Sequence, residues 1–244
     1  LFDMLFRNGA YHYNDTAVGM SLDALDGTAA DLRDADIWDY VDAHYQDRGL
    51  KLIAVLYDLN GYHIMLKEPL GEGALEGRRI RGTPVYHPVI EALGGAPVVL
   101  PGNEIYPGLE RGVVDGAAWP TVGAVGFRWY EVADYMIRPS FGQVGHPVFM
   151  SLDTWNGLDA ETQELIARVA EEYEAQGAAN FDTVVSQEEE TLAAEGMTVT
   201  ELDDSYVAQL GEAWYNGVME LAAQQSPDAV AEIREMARGA GLAP

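Results

Sequence analysis

Between Asp159 and Glu195 the chain has no proline and one interior glycine, Gly177, while Leu165, Ile166, Val169, Ala170, Tyr173, Phe181, Val184 and Val185 recur at helical spacing. Asp159 is placed to cap the start of such a helix and Gly196 to follow its end. At 1.5 Å rise per residue it would be ~55 Å long, more than the width of one small domain. A helix of that length either enters a coiled coil or braces two domains, and the weak heptad pattern favours the brace. The 244 residues suit two domains or one large α/β unit.

The rest of the chain alternates. Ile37–Asp47 reads as a helix closed by Gly49, and Lys51–Tyr57 as an apolar strand. Arg79–Arg81 reads as a short strand, Val85–Leu93 as a helix ended by Gly94 and Gly95, and Pro97–Leu100 as a strand. Glu104–Arg111 is then a helix and Val113–Val114 a further strand. This order predicts a parallel α/β sheet. After the long helix come a strand at Met197–Thr200, a helix at Ser205–Gln225 and a last helix from Pro227 to Arg238.

Charge and composition remove whole classes of function. Fourteen basic against forty acidic side chains give −26, a field that repels phosphate backbones and anionic lipid alike, so nucleic-acid binding is excluded. Only Lys51 and Lys67 are lysines, and a lysine-poor acidic surface suits a high-salt habitat, which is the preferred reading over partner recognition. Without cysteine there are no disulfides, thiolate metal sites or Cys nucleophiles. The longest apolar run, Leu52 to Leu56, is far short of the ~20 residues of a membrane span, so no direct membrane insertion is expected. Starting at Leu1 without a basic leader, the chain reads as a processed or truncated product.

Six short motifs then fall in register. They are Gly77–Arg81 (GRRIR), Leu93–Pro97 (LGGAP), Glu104–Tyr106 (EIY), Leu109–Gly116 (LERGVVDG), Tyr130–Tyr135 (YEVADY) and Trp155–Leu158 (WNGL), with the long helix after them. Together they resemble the solute-binding proteins of tripartite ATP-independent periplasmic (TRAP) transporters, over roughly residues 48–240. The resemblance implies a two-lobed periplasmic-binding-protein-like α/β fold with crossing strands and one long helix bracing both lobes. It places lobe one at 1–60 and 148–188, with its N-terminal part apparently missing, and lobe two at 61–147 and 189–244. Leu1–Asp47 matches only loosely, around Arg7–Ala10.

Arg81 ends a strand that turns through Gly82, Thr83 and Pro84 into a helix, whose N-terminal N–H groups favour an anion. Its guanidinium matches a carboxylate in a two-bond fork that lysine cannot reproduce. A surface arginine paired with an acid is the alternative; the resemblance implies instead the arginine that grips the solute carboxylate. His63, in Gly61–Tyr62–His63, stands where the family often carries a second arginine. It would bind the anion or serve packing, and with an ordinary pKa near 6.5 it would make affinity pH-sensitive. Trp119 is expected just past a strand's C-terminal end, an apolar wall for a carbon skeleton or a core residue. The 2-oxo-acid branch of the family has Glu-Trp where this chain has Ala118-Trp119, and that Glu helps to hold a metal; the resemblance therefore implies binding without metal or other cofactor. Tyr57, Tyr86 and His87 flank these turns as weaker pocket candidates, with packing as the alternative.

His12 with Asp15 could suggest a metal or acid–base pair, but the five histidines, at 12, 44, 63, 87 and 146, are too scattered for a local metal motif. No G-x-S-x-G elbow, P-loop or G-x-G-x-x-G occurs. The expected function is extracytoplasmic capture of a small organic acid in an interlobe cleft for delivery to TRAP permease subunits, without catalysis. Two alternatives stay open: a small acidic α/β hydrolase or isomerase using His63 or His87 as base, and a ligand sensor on the same fold.

Overall fold

The computed structural model describes residues 17–243. The Arg7–Ala10 match, His12 and Asp15 therefore lie outside the described residues. In chain order the elements are α1 (Ala17–Ser21), α2 (Ala29–Asp34), α3 (Ile37–Gln46), β1 (Leu50–Asp58), β2 (Tyr62–Leu66), β3 (Arg79–Arg81), α4 (His87–Ala92) and β4 (Ala96–Val98). Then come α5 (Ile105–Glu110), β5 (Gly116–Pro120), β6 (Tyr135–Arg138), β7 (Val144–Ser151), α6 (Leu152–Asn156), α7 (Ala160–Ala194), β8 (Thr198–Glu201), α8 (Asp204–Ala223) and α9 (Pro227–Ala240). No helix among the described residues is long and apolar enough to cross a membrane.

The fold is two-lobed and mixed α/β. The chain passes between two compact units four times: the first holds residues up to Asp58, Gly145–Asn180 and the segment from Val218, and the second holds Leu59–Val144 and Phe181–Gly217. Residues 218–243 thus pack in the first unit, whereas the family resemblance placed this segment in lobe two. The reason is α9: Val230, Ile233 and Ala237 form a buried stripe on it, and it packs on α1 and α3.

In the first unit, β1 and β7 form a two-stranded sheet. Val18, Leu22, Leu25, Leu32, Ile37, Val41, Leu52 and Val55 are buried in its core. Gly49, at φ 78°, ends the turn from α3 into β1, as the glycine at this position predicted. Glu174 of α7 accepts a two-bond fork from Arg33 at 2.7 and 3.2 Å and the Val55 N–H at 2.8 Å.

The second unit is built on a six-stranded sheet in the order β4-β3-β5-β2-β6-β8. It is mixed, not parallel throughout. β3 runs parallel to β4 and β5, and β6 parallel to β8, but β2 sits between β5 and β6 antiparallel to both. The strand expected at Val113–Val114 begins instead at Gly116 and runs to Pro120. A core of Met65, Ile105, Leu109, Ala117, Trp129, Met136 and Leu192 covers one face of this sheet.

As the sequence predicts, α7 is one uninterrupted helix of 35 residues, ~52 Å long, and Gly177 does not break it. Asp159 caps it, accepting the Thr162 N–H at 2.9 Å. Its first 21 residues, to Asn180, belong to the first unit and the remainder to the second.

Two helical glycines should respond oppositely to alanine. A methyl at Gly177 would sit 3.5 Å from Leu56, an ordinary contact, so Gly177→Ala should raise stability by about 0.5–1 kcal/mol through helix propensity. At Gly217 in α8 a methyl would lie 2.2 Å from Pro88, and Gly217→Ala should cost about 1–3 kcal/mol. Urea unfolding of the two variants measures both signs.

Candidate functional site

Strand register places the site. Directly opposed residues of paired strands, antiparallel or parallel, project to the same face, and residues two apart along a strand share a face. His63 opposes Trp119, Met65 opposes both Ala117 and Met136, and Arg81 pairs with Ala117. Arg138 lies two residues beyond Met136. Arg81, Trp119, His63 and Arg138 therefore share one face, on four adjacent strands, β3, β5, β2 and β6.

Arg81 is only 3% exposed. Its Nε–H donates to the Leu100 carbonyl at 3.0 Å and Nη1 to the Ala118 carbonyl at 3.3 Å, while its Cζ lies 5.1 Å from the Trp119 ring centre. The guanidinium plane is thus fixed by two backbone carbonyls, Leu100 just after β4 and Ala118 in β5. After the turn the chain enters a short 3-10 segment, Pro84–Tyr86, and then the six residues of α4.

Trp119 lies inside β5, one residue from its end, rather than past a strand end. Its ring meets Phe127 and Trp129 edge-on, with centroids at 5.8 and 5.4 Å, the T-shaped geometry aromatic pairs favour. The loop carrying Phe127 and Trp129 is tied to α7 through Glu188, which accepts the Gly123 N–H at 2.9 Å and the Val125 N–H at 3.3 Å.

His63 is 2% exposed, and its Nδ1 is in hydrogen-bond contact with Nη1 of Arg138. A guanidinium only donates, so Nδ1 is the acceptor and the neutral ring carries its proton on Nε2. Nε2 is buried with no hydrogen-bond partner among the described residues. Arg138 also forms an ion pair with Glu189 of α7. Burial, and then the Arg138 charge, push the His63 pKa down from 6.5 to about 3. His63 is therefore neutral across the physiological range, which corrects the expectation that its charge would make affinity pH-sensitive near 6.5.

The remaining candidates separate. Tyr86 is buried in an aromatic cluster, 4.6 Å from the Tyr62 ring and 6.2 Å from Phe141. Half-buried His87 begins α4, with Nε2 3.4 Å from the Gly82 carbonyl. Tyr57 belongs to the first unit; its hydroxyl is buried without a hydrogen-bond partner among the described residues, and burial pushes its pKa well above 10. Arg138 and Glu189 were not anticipated. The available signal was an arginine closing the apolar segment Tyr135–Arg138 in a chain poor in cations.

A family model described as "Bacterial extracellular solute-binding protein, family 7" matches residues 24–225. The chain belongs to this family. Family 7 membership places it outside the cytoplasm. Among curated relatives, it is 28% identical over 149 residues to a solute-binding protein of Sulfitobacter sp. (strain NAS-14.1), covering 54% of this chain and 44% of that one. It is 26% identical over 180 residues to the ectoine-binding periplasmic protein TeaA of Halomonas elongata, covering 69% of this chain and 50% of TeaA. The match thus spans half or less of those relatives' length. A solved TRAP periplasmic solute-binding protein from Desulfovibrio salexigens with bound orotic acid shares the fold, at a TM-score of 0.74 and 22% identity, covering 87% of this chain and 69% of that one.

The depressed pKa of His63 has a sign. Between its ordinary 6.5 and about 3 the unfolded chain takes up a proton that folded His63 refuses, so falling pH costs stability, at up to ~1.4 kcal/mol per pH unit. Asp23, whose carboxyl burial raises from 3.8 to about 7, acts oppositely and loses stability as pH rises through that range. Wild type must therefore be compared with His63→Gln. On going from pH 7 to pH 5, wild type should lose more unfolding free energy than the variant in urea titrations.

Proposed function

We propose that this family 7 protein is the solute-binding component of a TRAP-type transporter, and that it captures a small organic carboxylate at Arg81 and delivers it to a membrane permease. The observation that carries this reading is the buried Arg81 guanidinium, oriented by two backbone carbonyls and lying against the Trp119 indole. A guanidinium held in a fixed plane at a dry position presents parallel N–H donors to a carboxylate at little further entropic cost. Trp119, braced by Phe127 and Trp129, supplies a flat apolar surface for the carbon skeleton. Relatives named for ectoine and crystallised with orotic acid support the solute class.

A thermal-shift screen of organic acids, sugars and amines, followed by calorimetry, tests the reading. A carboxylate at 100 times its Kd should add about 2.7 kcal/mol to stability. Arg81→Lys should weaken its binding at least tenfold, or about 1.4 kcal/mol, nearly as much as Arg81→Ala, because lysine keeps the charge and loses the fork. Trp119→Phe should be mild, forfeiting mainly contact area at about 25 cal/mol per Å2. Binding of neutral sugars or amines only, or Arg81→Lys within threefold of wild type, would refute the role given to Arg81.

A further inference from the structure

The ion pair behind His63 has a consequence for solute selection, which rests on the carboxylate-binding function proposed for Arg81. We propose that Arg138 is a positioning residue that holds His63 in the Nε2–H form, so that the site reads one carboxylate through Arg81 and a neutral oxygen of the same solute through His63.

Arg138 and His63 stand side by side on β6 and β2, and Arg138 touches the ring at Nδ1. Since guanidinium has no lone pair to offer, Nδ1 must accept, and the ring must donate from its other nitrogen. That nitrogen, Nε2, is buried and has no acceptor among the described residues, a costly state for a polar group unless a ligand supplies the partner. His63 lies directly across from Trp119, on the face that carries Arg81.

The charges decide what that partner is. Arg138 is the charged group bonded to His63, and Glu189 of α7 meets the Arg138 charge in turn. His63 itself is neutral, so the second contact is a hydrogen-bond donor without formal charge. A keto, hydroxyl or ring-carbonyl oxygen satisfies it. A second carboxylate gains no ion pair there and is disfavoured relative to the neutral acceptor. The favoured class is a monocarboxylate bearing an uncharged oxygen acceptor.

Imidazole nitrogen NMR of the 15N-labelled protein, recorded without solute, tests the positioning half. Wild-type His63 should show the Nε2–H tautomer and should not titrate between pH 8 and pH 5. Arg138→Met should mix the tautomers and bring the titration toward 6.5, and Arg138→Lys should restore the wild-type signature at least in part. A purely structural role for Arg138 would lower the melting temperature without moving these signals. An Nδ1–H tautomer in wild type, or titration near 6.5, would overturn the proposal.

The specificity half is read by calorimetry with those acids from the screen that bind wild type. His63→Leu, checked for a wild-type melting profile alongside His63→Gln, should cost acids with a neutral oxygen acceptor at least tenfold and bring them level with analogues lacking it. If every bound acid stays within threefold of wild type in both variants, His63 is not a solute contact and this half fails. A screen in which no carboxylate binds refutes the underlying function instead, and the NMR result is unaffected by it.

Discussion

A guanidinium 3% exposed to solvent is the constraint around which the second unit is organised. Charge at such depth costs several kcal/mol unless it is hydrogen-bonded. Here the Leu100 and Ala118 carbonyls take two of the Arg81 N–H groups. They can do so because β3 lies between β4 and β5, bringing backbone oxygens to the level at which Arg81 emerges. The same arrangement sets the indole of Trp119 against the guanidinium and, through β2, brings His63 to the same face. Sheet order, not local sequence, creates the site.

The long helix α7 carries carboxylates that serve each unit separately. In the first, Glu174 binds Arg33 and the Val55 N–H. In the second, Glu188 holds the N–H groups of Gly123 and Val125, and Glu189 pairs with Arg138. Part of the acidity that gives the chain its net charge of −26 is therefore structural. Glu188 steadies the loop whose aromatic rings support Trp119, and Glu189 sets the charge balance beside His63.

Features that depend on near neighbours in the chain were legible in the sequence. A helix free of proline, an apolar strand after a glycine-capped helix and the short strand ending at Arg81 are local patterns, and α7, β1 and β3 appear where those patterns put them. β2 and β6 escaped notice because YHIML and YMIR are short, and YHIML is buried on both faces, without the alternation that marks a half-exposed strand. Without β2, the sheet looked parallel throughout and Arg138 had no visible neighbour. The neutral state of His63 was equally hidden, since its pKa is set by burial and by an arginine 75 residues away. α9 was legible as a helix, but its membership of the first unit comes from long-range packing on α1 and α3.

A crystal structure of the protein with the tightest-binding acid from a solute screen decides whether Arg81 grips the solute carboxylate. The solute carboxylate should lie within about 3 Å of the Arg81 guanidinium nitrogens in a two-bond fork, with its carbon skeleton against Trp119. A bound acid whose carboxylate contacts neither Arg81 nor its neighbours on that face of the sheet would contradict it.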